Sequence, residues 1–160
     1  TYLDLSGRAT DANESVDQLG FLHHCEDCLR REAEHGMLPH PPETCPRCEG
    51  NRVLTAGPLW LGPYRDPDFV ADVREQVTDD MGTADRGRDL CDTLEAELDE
   101  PSHYDQHRLC KLWGRGASGM DDFLGALRDA GFAASRAHYG GTTFKSDASI
   151  PEMEAATEEL

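Results

Sequence analysis

Cys25-Glu26-Asp27-Cys28 and, further along, Cys45-Pro46-Arg47-Cys48-Glu49-Gly50 decide how this chain folds. The spacing C-x2-C-x16-C-x2-C falls within the range of a four-thiolate zinc site. A C-x-x-C turn brings two sulfurs to one ion at about 2.3 Å while backbone N–H groups point at them. Two such turns on neighbouring hairpins close a tetrahedron and leave no open position for catalysis. A redox dithiol needs no second copy, and no thioredoxin-like βαβ pattern surrounds either pair. Zinc on Cys25, Cys28, Cys45 and Cys48 is therefore the expectation. His23, His24, His35 and His40 lie close by as alternative single ligands. Glu49 stands where a zinc ribbon often has glycine, so a different local turn is expected there. Cys91 and Cys110 stand alone among apolar residues and read as small buried hydrophobes.

Outward from the cysteines, residues 1–6 alternate like a strand, and Thr10 or Asp11 can cap a short helix ending near Gly20. Arg52 to Ala56 reads as a returning strand, and Trp60 as a core anchor. From Asp66 the pattern becomes helical: Phe69, Val70, Val73 and Val77 recur at helical spacing, as do Leu90, Leu94 and Leu98. An acidic linker, Thr78 to Arg88, separates the two. Tyr104 to Trp113 reads as a third helix and Met120 to Ala130 as a fourth, closed by Gly131. Phe132 to Tyr139, the Gly140-Gly141 turn and Thr142 to Ser146 form a hairpin. Pro151 to Leu160 reads as a closing amphipathic helix. The fold expected is α+β: a zinc-ribbon-like lobe over 1–63, then a helical, winged-helix-like lobe over 64–160 with a C-terminal β-hairpin.

Asp plus Glu number 32 and Lys plus Arg 15, a net charge of −17, and only Lys111 and Lys145 are lysines. A dense carboxylate surface on a Lys-poor chain points to molar salt, where the Debye length falls to about 3 Å and self-repulsion is screened. In dilute buffer such a charge argues against a nucleic-acid partner; in molar salt it argues much less. No apolar run reaches the ~18 residues of a membrane span, and Thr1-Tyr2-Leu3-Asp4-Leu5 is no signal peptide. The reading is a soluble, cytoplasmic protein without a membrane partner. Its opening on a strand-like alternation without Met suggests a piece of something longer.

Three further segments carry a resemblance. They are Gly57-Pro58-Leu59-Trp60-Leu61-Gly62 with Asp66 and Phe69; Pro101-Ser102-His103-Tyr104-Asp105-Gln106-His107; and Ala134-Ser135-Arg136-Ala137-His138-Tyr139 through Thr142, Lys145, Asp147 and Ala148. With the cysteine pairs, they resemble the C-terminal part of the tRNA (guanine(26)-N(2))-dimethyltransferase family, in a haloarchaeal form. The resemblance implies S-adenosylmethionine as methyl donor, a tRNA guanine as acceptor, and a role in tRNA binding. It also implies a partner, the chain's own N-terminal catalytic domain. The family's Gly-rich cofactor loop and its acidic residue followed by Pro at the target base have no counterpart here. Asp66-Pro67-Asp68 opens a helix instead, so no catalytic residue is assigned.

In so acidic a chain the cations are informative, since phosphates are gripped by Arg, Lys and backbone N–H groups. Arg136, His138 and Lys145 fall on or beside the hairpin, with Arg115 in the preceding interhelical turn. These four are the expected tRNA contacts; the competing reading makes Arg136 and Lys145 ion-pair partners of nearby carboxylates. A free-standing zinc-ribbon and winged-helix nucleic-acid adaptor is the alternative function.

Overall fold

The computed structural model describes residues 7–160, so the strand expected over 1–6 lies outside the described residues. The chain divides into two compact units, Thr1–Tyr64 and Arg65–Leu160.

The first unit opens with α1 (Ala9–Asp17), whose N-cap is Arg8 with no side-chain bond rather than Thr10 or Asp11. Three strands follow, β1 (Leu19–Cys25), β2 (Arg31–His35) and β3 (Val53–Trp60), in the antiparallel order β2-β1-β3. Phe21, His23 and Cys25 of β1 are buried at alternate positions, the period of a strand with one covered face. A register shift falls between Gly20 and Leu22. A Cβ on Gly20 would sit 2.2 Å from the Glu34 carbonyl oxygen, so only glycine lets β2 approach so closely. β3 runs beyond Ala56 to Trp60. Trp60 is half-exposed and donates its indole N–H to the Pro63 carbonyl at 2.8 Å, so it is not a core residue. Among the described residues of this unit, buried apolar side chains besides the cysteines are Phe21, Leu29 and Leu61.

The second unit begins with α2 (Pro67–Glu75). Asp66 accepts from the Phe69 N–H and Pro67 occupies the first turn, as the sequence rules for helix starts require. α3 (Ala84–Ala96) starts inside the stretch read as a linker. The helix expected from Tyr104 is instead β4 (Tyr104–Asp105) followed by α4 (Gln106–Leu112), because Tyr104 pairs with Phe144 in a sheet. α5 (Met120–Asp129) ends as expected. Gly131, at φ +95°, lets its own N–H reach the Arg128 carbonyl and the Phe132 N–H reach that of Leu127.

β5 (Ala134–Arg136) and β6 (Thr143–Ser146) form the hairpin, and the sheet order is β4-β6-β5. α6 (Ile150–Ala156) starts at a capping box of Ser149 and Glu152. The core gathers Leu109, Phe123, Leu124, Leu127, Phe144 and Met153, all nearly inaccessible. Phe144 lies edge-on to Phe123 at 5.1 Å. Helices beside small antiparallel sheets make the class α+β. Among the described residues, no helix is long and apolar enough to cross a membrane.

Candidate metal centre and cationic surfaces

The four cysteines of the paired turns converge. Their sulfurs lie within 4.8 Å of one another, with Cys25 Sγ to Cys48 Sγ at 3.7 Å and Cys28 Sγ to Cys45 Sγ at 3.6 Å. A tetrahedron of thiolates at about 2.3 Å from zinc has edges of about 3.8 Å, so the cage fits that ion. Cys25, Cys28 and Cys45 are buried and pack with Val53; Cys48 is at the surface.

Both turns are built alike. Cys25 N–H donates to the Arg30 carbonyl and Leu29 N–H to that of Cys25, both at 2.9 Å. Cys45 N–H donates to Gly50 and Glu49 N–H to Cys45, both at 2.8 Å. The expected difference at Glu49 is absent, since Glu49 adopts the left-handed conformation that a glycine would supply.

The thiols cannot share one state. Burial opposes ionisation of Cys45, but N–H groups of Arg47 and Cys48 and the neighbouring thiols outweigh it and bring it to about 7. The Gly50 N–H favours a Cys48 thiolate, yet burial and the other three sulfurs push that group up to about 12. Crowded thiolates repel one another, and a cation at their centre removes the conflict. The donor set is that of a closed structural zinc site, with no coordination position left for water.

Three of the nearby histidines, His23, His35 and His40, are engaged by other groups. His23 lies 2.9 Å from Thr55 Oγ1 and 2.8 Å from Glu34 Oε2, and His40 Nδ1 lies 2.5 Å from Glu34 Oε1. The His40 backbone N–H and both imidazoles hold Glu34 down to about 2. His35 Nδ1 lies 3.2 Å from the Asp17 carbonyl oxygen.

Of the four expected tRNA contacts, His138 and Lys145 meet on Glu97, while Arg136 and Arg115 are engaged by other residues. Arg136, 44% exposed, pairs with Asp121 at 2.8 Å. Lys145 is only 2% exposed; its Nζ donates to the Glu100 carbonyl at 2.7 Å and lies 3.2 Å from Glu97 Oε1. The latter is an ion-pair distance outside directed hydrogen-bond geometry. His138 meets Glu97 Oε2 through Nδ1 at 2.7 Å and through its backbone N–H at 3.2 Å. Arg115 binds the Thr157 carbonyl and hydroxyl oxygens, with Cζ 4.6 Å from the centroid of the Trp113 ring.

Glu97, just past the end of α3, is the residue that sequence reasoning missed. Its side chain is fully buried. Burial pushes its carboxyl upward, but His138 and Lys145 outweigh that and hold it below the usual range. The local sequence offers two glutamates between Leu94 and Leu98, Glu95 and Glu97, and does not distinguish the buried one from its neighbour.

A paired-knuckle sheet unit and a helix-and-sheet unit define a protein with a four-cysteine cage that could hold a metal ion and no catalytic constellation among its described residues. The family model for N2,N2-dimethylguanosine tRNA methyltransferase matches residues 1–158, and the chain belongs to that family. Its relatives include the tRNA (guanine(26)-N(2))-dimethyltransferases of Haloarcula marismortui, 57% identical over 157 residues, and Halobacterium salinarum, 56% over 156. In each case 98% of this chain and 42% of the relative are covered. The Methanosarcina mazei enzyme is 40% identical, with 96% and 39% covered. The chain thus spans about two fifths of the length of these relatives. Among solved structures, Trm1 from Pyrococcus horikoshii in complex with S-adenosyl-L-methionine superposes with TM-score 0.77 at 25% identity, covering 92% of this chain and 37% of that one.

Proposed function

We propose that this chain is the C-terminal part of an S-adenosylmethionine-dependent cytoplasmic enzyme that dimethylates the N2 amine of a tRNA guanine, position 26 by family. Its own task is to bind and position tRNA for a catalytic N-terminal domain. The match of the family model to residues 1–158 carries this reading.

The residues present do not fit the methyl donor: no strand, Gly-rich loop and helix follow one another in the sequence. No step of methyl transfer is therefore derived from this chain. Cys25, Cys28, Cys45 and Cys48 would hold zinc, which supplies cross-linking and no Lewis-acid chemistry, because four thiolates saturate it. With few buried apolar side chains among the described residues of that unit, the cross-link fixes the hairpins. Residues 1–63 act as the zinc-ribbon-like domain and 64–160 as the tRNA-facing one.

For the second domain we favour a winged-helix-like arrangement. The order α3, β4, α4, α5, β5, β6 and the sheet order β4-β6-β5 support it. On this reading the β5–β6 hairpin is the wing. Arg136 reaches tRNA from it by exchanging Asp121 for a phosphate, and the edge of His138 lies beside it. Lys145 braces the wing from within through Glu97.

The test uses a full-length protein carrying this chain, incubated with S-adenosylmethionine and a tRNA transcript in molar salt. Nucleoside mass spectrometry is expected to show N2,N2-dimethylguanosine at one position. Folded protein that binds tRNA and leaves it unmodified would replace this reading with the adaptor one.

A further inference from the structure

Among the described residues, seven of the fifteen Lys and Arg side chains, Arg8, Arg30, Arg52, Arg74, Arg88, Arg136 and Lys145, have an Asp or Glu within 4 Å. Arg47, Arg65, Arg115 and Arg128 donate to backbone carbonyls instead. Helix α4 carries two neighbouring cations with neither kind of partner. Its inner face buries Gln106, Leu109 and Cys110, which fixes His107, Arg108 and Lys111 on the exposed side. Among the described residues, neither Arg108 nor Lys111 pairs its side chain with a carboxylate. The sequence gives the reason: residues 106–119 contain no Asp or Glu, although 32 of 160 residues are acidic.

The shape agrees with the charge. His107, Lys111 and Arg115, with Cys110, Gly114 and Ala117, line one open concavity of about 430 Å³. Arg115 is fixed there by Thr157 and by the Trp113 ring, so its guanidinium is already ordered before any ligand arrives. Lys111 and Arg108 are three apart on the helix, hence neighbours on its surface. In a protein of charge −17, this cationic face has one carboxylate at its start, Asp105, which already accepts from the Arg108 N–H and the Thr142 hydroxyl, and none along residues 106–119, so an anion meets less repulsion there.

We infer that this α4 face, formed by His107, Arg108, Lys111 and Arg115, binds the phosphate backbone of tRNA and is the principal electrostatic contact of residues 65–160. The inference deepens the tRNA reading above and rests on it. It shifts the weight of binding from the hairpin, whose cations already have carboxylate partners, to a helix whose cations do not.

The experiment measures tRNA binding by a full-length methyltransferase carrying this chain, over a range of KCl in which circular dichroism shows each protein folded. Arg108→Ala and Lys111→Ala, singly and together, are compared with wild type. Arg86→Ala, an exposed cation among Asp79, Asp80 and Asp85, serves as control. Each lost phosphate contact is expected to lower the log–log salt slope by about 0.7–0.9, with S-adenosylmethionine binding unchanged and Arg86→Ala like wild type. Wild-type affinity and slope in the double variant would overturn the inference while leaving the tRNA reading intact. Salt-independent or absent tRNA binding by wild type itself would remove the reading and the inference together. Equal losses in Arg86→Ala and the double variant would mean a diffuse charge effect and would also overturn it.

Discussion

Leu29 and Glu49 occupy equivalent positions, each directly after the second cysteine of its turn, and both adopt left-handed backbone, with φ of 61° and 59°. Neither is glycine, so each turn carries steric strain of about 1–2 kcal/mol for the sake of aiming N–H groups at sulfur.

That equivalence predicts unequal mutants. Glu49→Gly relieves the strain and loses no buried contact, so the first unit should gain up to about 1 kcal/mol in thermal unfolding. Leu29 is 7% exposed, and Leu29→Gly should be net destabilising by about 1–3 kcal/mol, because lost burial exceeds relieved strain.

Metal content gives a second test. The purified protein should carry about one zinc per chain by elemental analysis, and Cys45→Ser should lose it. Structural zinc contributes about 10–16 kcal/mol of apparent binding energy in small peptides, so the first unit should lose its dispersed NMR signals. A metal-free wild type with full dispersion would refute the site.

Glu97 and Lys145 form a buried pair, and breaking it leaves a charge without a counter-charge. Lys145→Met and Glu97→Gln should each cost about 3–5 kcal/mol, and the double substitution less than either single one. The pH dependence has a fixed sign. The carboxyl of Glu97 is depressed in the folded state, so its contribution is present above the ordinary value of 4.5 and is lost as pH falls below it. Denaturant midpoints should drop in that range, and less steeply in Glu97→Gln.

Arg136 and Asp121 form an exposed pair, the Asp121 side chain being 88% accessible. Such pairs contribute about 0–1 kcal/mol. Asp121→Asn should leave stability nearly unchanged and strengthen tRNA binding by up to about fivefold. Unchanged affinity in that variant would take Arg136 out of the interface.

Phe144 is inaccessible and packs against Phe123 of α5 and Tyr104 of the neighbouring strand β4. Phe144→Ala should cost about 3–5 kcal/mol in chemical denaturation.

The sequence by itself determined what is written in contiguous residues. The paired cysteines named the metal cage, because a C-x-x-C turn is local and its repetition has one economical use. Asp66 with Pro67 marked the start of α2 and Gly131 the end of α5, because capping depends on neighbours within a turn. Only the tertiary structure decided which cations are free. Lys145 looks from its flanking residues like a surface contact, yet it is buried on Glu97, which is remote in sequence. Lys111 received no weight from its sequence and proves to be unmatched. Tyr104 fits a helical pattern but is drawn into a strand by Phe144. An ion pair or a strand pairing depends on which distant residue arrives opposite, and that is fixed by packing rather than by the residue itself.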